Sequence, residues 1–347
     1  MTERRFKQVD VFTRRPFFGN PVAVVLDGAG LEPDAMQRIA GWTNLSETTF
    51  VTPAAAPGAD YRVRIFTPRR ELPFAGHPTI GTAHAVLEAG IARPREGRVR
   101  QECGAGVLTL TVDGEGSDRR IDVEVPPAKF DSVAPAVLAR VRAALGLLAS
   151  PAREPRVVDV GPRWFVLELG DAAAVRALAP DFAALAEASR ALGITGVTAF
   201  GRAQAGDHAM AVRSFAPAEG IPEDPVCGSG NGCVAALVRS ERLISGHSYV
   251  ASQGSCVGRD GRVEIRFEDD GRSGWAGRDD LHRRHAGSKP TAAAGRLHRG
   301  FPRSGSPFLS PDLQLIGHEV GDGVGCFYKT RAVAGMIHRN FVNMKMI

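Results

Sequence analysis

Cysteine is scarce in this sequence and follows no pattern. Its 347 residues hold five, Cys103, Cys227, Cys233, Cys256 and Cys326, with no Cys-x-x-Cys pair. An odd, scattered set argues against a disulfide framework and a thiolate zinc site, and places the thiols, reduced, in a cytoplasm. Long apolar runs are also missing. No segment reaches the length needed to span a bilayer, and the opening MTERRFKQVDVF has no apolar core of a secretory leader. Membrane partners and export are therefore not expected. A basic body is lacking as well, despite a formal net charge of +5. Residues 271–347 hold 12 of the 43 Lys and Arg but only 5 of the 38 Asp and Glu, leaving 31 basic against 33 acidic side chains before them. The basicity belongs to the tail, so a nucleic-acid face on the body is not expected.

What remains is ordinary globular composition, 44% hydrophobic and 23% charged, and enough chain for two cores. Alternating apolar residues predict strands over 6–12, 61–66, 107–112 and 121–125. The spacing predicts helices over 34–42 and 78–88, the latter stopping before Gly90. After Pro126-Pro127 the scheme repeats. A helix is expected over 137–148, strand material over 156–169, an Ala/Leu-rich helix over 172–192 broken at Pro180, a strand over 210–215 and a helix over 230–243. The proline pair marks a boundary, giving halves at 1–127 and 128–270. Both 78–88 and 230–243 are apolar on most sides and should be buried, each wrapped by a curled sheet. The fold class is therefore α+β, in two pseudo-symmetric domains. From Gly271 to Ile347 the sequence turns rich in Arg, His, Gly, Ser and Pro, and reads as a disordered or frame-altered tail. His282 and His285 lie there without companion ligands, so no metal site is assigned.

Two stretches resemble copies. Arg64–Ala83 and Arg213–Gly230 both run Arg-x-Phe-x-Pro, then a spacer, then a polar residue before proline: His77-Pro78 in one, Asp224-Pro225 in the other. The matching corners suggest two facing half-sites, with acid and base on opposite sides of one small substrate. Gly76 in the first copy and Gly228-Ser229 in the second open helices. Unpaired N–H groups there stabilise an anion, or the glycines serve only the turns. Glu47, among apolar neighbours, is either a proton-transfer group with a raised pKa or an exposed strand start. Asp224 is a site carboxylate or a turn residue, and His77 either donates a proton or hydrogen-bonds a nearby carbonyl. Cys227, at a helix N-terminus, is either a thiol of lowered pKa or a small buried apolar residue. Cys233 is read as the latter.

The motifs S-E-T-T-F, E-L-P-F-A-G-H-P-T-I-G-T-A, E-D-P-V-C-G-S-G and Q-G-S-C-V-G-R resemble those of the PhzF-like isomerases of phenazine biosynthesis, over about residues 6–270. That family shares the diaminopimelate epimerase-like fold. The resemblance implies a cleft between two halves, no cofactor or metal, and a homodimer. It implies isomerisation of trans-2,3-dihydro-3-hydroxyanthranilate or a similar small carboxylate. Glu47 would move the proton, His77 and Asp224 would hold polar groups, and Gly76, Cys227, Gly228 and Ser229 would line the site. The role of Gln253 to Arg259 stays open. Two other readings stand beside it: an amino- or hydroxy-acid epimerase using Cys227 with Glu47, and a non-catalytic relative that binds a small molecule. The family's closing strand is expected to be missing from the tail, leaving a sheet edge of the first half open.

Overall fold

The computed structural model describes residues 2–13, 15–115, 119–147, 150–204, 206–267, and three short strands farther along the tail. The first half runs β1 (Thr2–Val11), β2 (Asn20–Val25), α1 (Pro33–Thr43), β3 (Glu47–Thr52), β4 (Tyr61–Phe66), β5 (Glu71–Leu72), α2 (Gly76–Glu88), β6 (Arg98–Cys103), β7 (Gly106–Asp113) and β8 (Arg119–Val123). The second runs β9 (Lys129–Ser132), α3 (Pro135–Ala144), β10 (Arg156–Asp159), β11 (Arg163–Asp171), α4 (Ala172–Arg176), α5 (Phe182–Leu192), β12 (Gly196–Arg202), β13 (Met210–Ala216), β14 (Ile221–Asp224), α6 (Gly228–Ser240), β15 (Ser248–Gln253) and β16 (Gly261–Phe267). The tail adds β17 (Ser273–Trp275), β18 (Thr330–Ala332) and β19 (Val342–Met346).

The duplication is written in the strand pairing. One sheet has the order β18-β8-β7-β6-β4-β3-β2-β1-β19, the other β17-β16-β15-β13-β12-β11-β10-β9. In each, the same two neighbours are parallel: β2 with β3 and β4 with β6 in the first, β11 with β12 and β13 with β15 in the second. Inside the curl of each sheet lies one helix. Twelve of the thirteen residues of α2 are buried, and Ile80, Ala83 and Val86 pack with Val9, Val22, Val63 and Leu110. Cys233, Val234 and Val238 of α6 share the same continuous core with Trp164, Val212 and Val263. Gly81 allows α2 to approach the sheet this closely, since a Cβ there would lie 2.4 Å from Val22 Cγ1. Outside the curl, α1 covers Val25, Phe50 and Phe66 through Met36 and Ala40. Helices α3 to α5 cover Phe165, Leu167, Val197 and Phe215. The central strands are buried on both faces, so β11 and β12 read as continuous apolar runs rather than alternations.

The Arg-x-Phe-x-Pro copies prove to be corners. Arg64 makes a two-pronged pair with Glu71, and Arg213 does the same with Glu223. Each guanidinium lies over its own phenylalanine ring, Arg64 on Phe66 and Arg213 on Phe215. Arg213 Nη1 also lies within hydrogen-bond reach of the Val175, Arg176 and Leu178 carbonyls around the end of α4. The motif thus turns a strand out of its sheet and fixes the approach to α2 or α6.

The tail differs from its expected role. Ser273–Trp275 pairs antiparallel with β16, in the place that β8 holds beside β7. On the first sheet, β19 pairs with β1 and β18 with β8, so the sheet edge expected to be open carries a tail strand. The pairing of β19 with β1 matches that of β9 with β10. His282, His285 and Cys326 lie outside the described residues, as do 276–329 and 333–341. No helix among the described residues is long and apolar enough to cross a membrane.

Candidate active site

A cleft of about 810 Å³ opens between the halves, and Glu47, His77, Asp224, Cys227 and Ser229 line it. Glu47 is the first residue of β3, in register with Val22 on β2. That central position, not an exposed strand start, leaves it only 6% exposed. His77 and Ser229 are the second residues of α2 and α6, after Gly76 and Gly228. Two helix starts, each carrying partly positive N–H groups, therefore border one cleft.

The matching of corners changes with the structure. The residues capping α2 and α6 are Ala75 and Cys227. Counting from these caps, His77 corresponds to Ser229, and Cys227 to Ala75. Asp224 lies three residues before its cap, on β14, so it is not the counterpart of His77. Sequence reasoning aligned the two prolines, whereas the backbone aligns the two helix starts.

Asn20, between Gly19 and Pro21, joins the halves. It is fully buried. Its amide nitrogen lies 2.7 Å from Asp224 Oδ1, 3.0 Å from the Val226 carbonyl and 3.3 Å from His77 Nδ1. Two hydrogens cannot serve three acceptors, so the His77 contact, the longest, is the weakest. Ser46 Oγ donates to Asn20 Oδ1 at 3.0 Å. Gln253 supplies the missing role of the Q-G-S-C-V-G-R stretch. It accepts the Cys227 N–H and the Asn231 amide, and donates to the Asp224 carbonyl, all within 3.0 Å. The next residue, Gly254, holds φ +101°, and a Cβ there would lie 2.5 Å from the Pro225 carbonyl oxygen. Trp164 Nε1 donates to Ser229 Oγ at 3.0 Å, aligning that hydroxyl.

Burial dominates the electrostatics. It pushes Glu47 up to about 8, with the negative charges of Asp224 and Glu219 adding to the effect. Asp224 is raised to about 6 by burial, against hydrogen bonds from Cys227, the Val226 N–H and Asn20. His77 falls to about 3 because its imidazolium would be desolvated, so the ring is neutral. Glu47 Oε2 and His77 Nε2 lie 3.2 Å apart, yet neither is aligned in a hydrogen bond with any partner. Unpaired buried polar atoms are costly, and here they flank the cleft. Cys227 departs from the reactive-thiol expectation. It is buried, its sulfur accepts the Gly230 N–H, and burial plus the Asp224 charge raise the thiol well above its ordinary value. Desolvation outweighs the helix start.

These shifts give a stability profile. The raised carboxyls hold protons in the folded chain, so they remove stability as pH climbs from their ordinary to their folded values. The buried His77 and His84, both lowered to about 3, add stability between pH 3 and 6.5. The two effects oppose each other up to pH 6.5, above which Glu47 acts alone among these groups. Urea midpoints should fall between pH 6.5 and 8 with a slope of up to one proton. Glu47→Gln should flatten that slope, and an equal slope in both proteins would refute the assignment.

Comparison with known proteins agrees with this architecture. The sequence profile of the PhzC-PhzF family, described as phenazine biosynthesis-like protein, matches residues 9–277. The chain is 43% identical to antisense-enhancing sequence 1 of Schizosaccharomyces pombe, over 75% of this chain and 88% of that one. It is 36% identical to the trans-2,3-dihydro-3-hydroxyanthranilate isomerase of Pseudomonas aeruginosa, over 76% and 90%. The crystal structure of a Bacillus anthracis phenazine biosynthesis protein of the PhzF family superposes with a TM-score of 0.68 at 23% identity, covering 79% of this chain and 95% of that one, which speaks for the fold. The duplicated curled sheets, the cleft between them and these relatives together establish that the chain belongs to the PhzC-PhzF family of phenazine biosynthesis-like proteins.

Proposed function

We propose that this protein is a cofactor-independent isomerase that moves a proton between two atoms of a small carboxylate substrate, in the manner of trans-2,3-dihydro-3-hydroxyanthranilate isomerase. The observation that carries the reading is Glu47: a buried carboxyl at the cleft, raised towards neutrality, with an unpartnered oxygen beside the neutral His77. A group titrating near the working pH both takes and returns a proton readily. Glu47 removes the proton as a carboxylate and redelivers it as the acid. His77 and Asp224 orient the substrate's polar groups, and the starts of α2 and α6 receive its carboxylate through Gly76, Gly228 and Ser229. Incubation with the dihydro-hydroxyanthranilate in D₂O, followed by NMR, should give product with solvent deuterium at one ring carbon. Folded protein giving neither product nor exchange would reject this substrate.

The epimerase reading needs a reactive Cys227 thiol opposite Glu47. Burial of that thiol speaks against it. Cys227→Ala should keep turnover within about tenfold, since it removes a helix cap, of the kind that contributes about 0.5–2 kcal/mol, and one hydrogen bond to Asp224, which keeps those from the Val226 N–H and Asn20. Loss of all turnover in a variant of native circular dichroism would restore the thiol to the mechanism.

A further inference from the structure

The cleft is larger and more basic than one small monocarboxylate requires. Its 810 Å³ lies high in the range of about 300–1,000 Å³ typical of sites for drug-sized ligands. Four arginines line it, and they fall into two classes. Arg70 is neutralised by Glu219 through two bonds across the halves, and Arg163 pairs with Asp131. Arg69 and Arg190 have no carboxylate partner among the described residues. Arg69 rises from the turn between β4 and β5, and its guanidinium donates to the Ala218 carbonyl. Arg190 lies in the last turn of α5, on the other half. Beside it in the cleft wall, Ser189 is fully buried and its Oγ has no hydrogen-bond partner. A buried hydroxyl without an acceptor is unfavourable, and an acceptor arriving with a ligand relieves it.

We propose that the substrate carries a second anionic group, a carboxylate or a phosphate, which Arg69 and Arg190 receive from opposite halves with the Ser189 hydroxyl. The natural substrate is thus a dianion that bridges the cleft, its first carboxylate at the helix starts and its second at this arginine pair; the dihydro-hydroxyanthranilate, with one carboxylate, occupies only the first of these and tests the proton transfer alone. Guanidinium groups suit either anion because their planar N–H forks match two oxygens at once. The Arg70–Glu219 pair between the two turns leaves Arg69 as the unneutralised charge at that corner. This subsite rests on the reading of the cleft as the substrate site, but its test does not require turnover.

Calorimetric titration would compare succinate, glutarate, adipate, pimelate and suberate with hexanoate and octanoate, at low ionic strength. The expected result is that one dicarboxylate length binds at least tenfold more tightly than the monocarboxylates. That preference should disappear in Arg69→Gln and in Arg190→Gln, while each variant keeps native affinity for octanoate, which also reports an intact cleft. A 6-phosphonohexanoate arm distinguishes the two anions: tighter binding than pimelate identifies the distal group as phosphate-like, weaker binding as carboxylate. Equal affinity for mono- and dicarboxylates would overturn the proposal, as would a preference that survives both substitutions or no binding by any of them. Failure of deuterium exchange would count against the isomerase reading and leave these affinities untouched.

Discussion

Glu47→Gln should lower kcat by about 10²–10⁴, the range that general acid–base catalysis contributes, with little change in KM. The reason lies in the state of the native side chain. With its pKa pushed up to about 8, Glu47 is largely protonated in the resting protein at neutral pH, and glutamine reproduces that neutral form in shape. The fold and the cleft should therefore survive while the capacity to exchange a proton is lost. Deuterium from solvent should enter the product in the native protein and be absent from the variant. The pH profile provides a second check. Abstraction needs the carboxylate, so kcat/KM should rise as pH climbs towards the raised pKa. Near-native turnover by the glutamine variant would remove Glu47 from the proposed chemistry.

Asn20→Ala should be the most damaging substitution at a residue with no chemical role of its own. It leaves Ser46 Oγ without its acceptor and takes one partner each from the Val226 carbonyl and from Asp224 Oδ1, which keeps the Val226 N–H. Each buried group left unsatisfied costs about 1–3 kcal/mol, so a loss of about 2–5 kcal/mol is expected in urea denaturation. Activity should fall by more than tenfold, because Asp224 loses the contact that ties it to the first half. Asn20→Asp refines the test. A carboxylate in place of the amide would face Asp224 at the 2.7 Å now spanned by a hydrogen bond, and two such groups cannot both ionise. That variant should be most impaired at high pH and recover part of its stability as pH falls. A stability loss below about 0.5 kcal/mol for the alanine variant, the level of an ordinary surface substitution, would show that Asn20 is not the tie between the halves.

The two substitutions probe different levels of one arrangement. Glu47 is tuned by burial, with the charges of Asp224 and Glu219 on the other half adding to it. Asp224 is tuned by burial and by hydrogen bonds, one of which comes from the other half through Asn20. Catalytic geometry in this cleft therefore depends on how the halves sit against each other. The Arg70–Glu219 pair and the Arg259 guanidinium on the Phe17 carbonyl are further ties between them.

Local pattern alone determined much of this protein. The alternation over 61–66, the apolar helices that became α2 and α6, the break at Pro180 between α4 and α5, and the repeated Arg-x-Phe-x-Pro corner are all short-range signals. They read correctly because strand and helix periods and proline chemistry act within a few residues. Glu47 and His77 were legible as polar residues at a strand and a helix start, and Asp224 as a carboxylate before a proline and a glycine-rich turn. What they do was not legible, because a pKa depends on desolvation and on charges distant in the chain. Only the tertiary structure buried Glu47 and Cys227, turning one towards neutrality and leaving the other an unreactive cap. Only it aligned His77 with Ser229 rather than with Asp224, because helix starts and not proline positions occupy equivalent places. Asn20 was invisible for the same reason: its partners at Asp224 and Val226 lie about two hundred residues away. The tail strands paired with β1 and β8 follow the same rule, since an edge strand is specified by the backbone it meets and hardly at all by its own few residues.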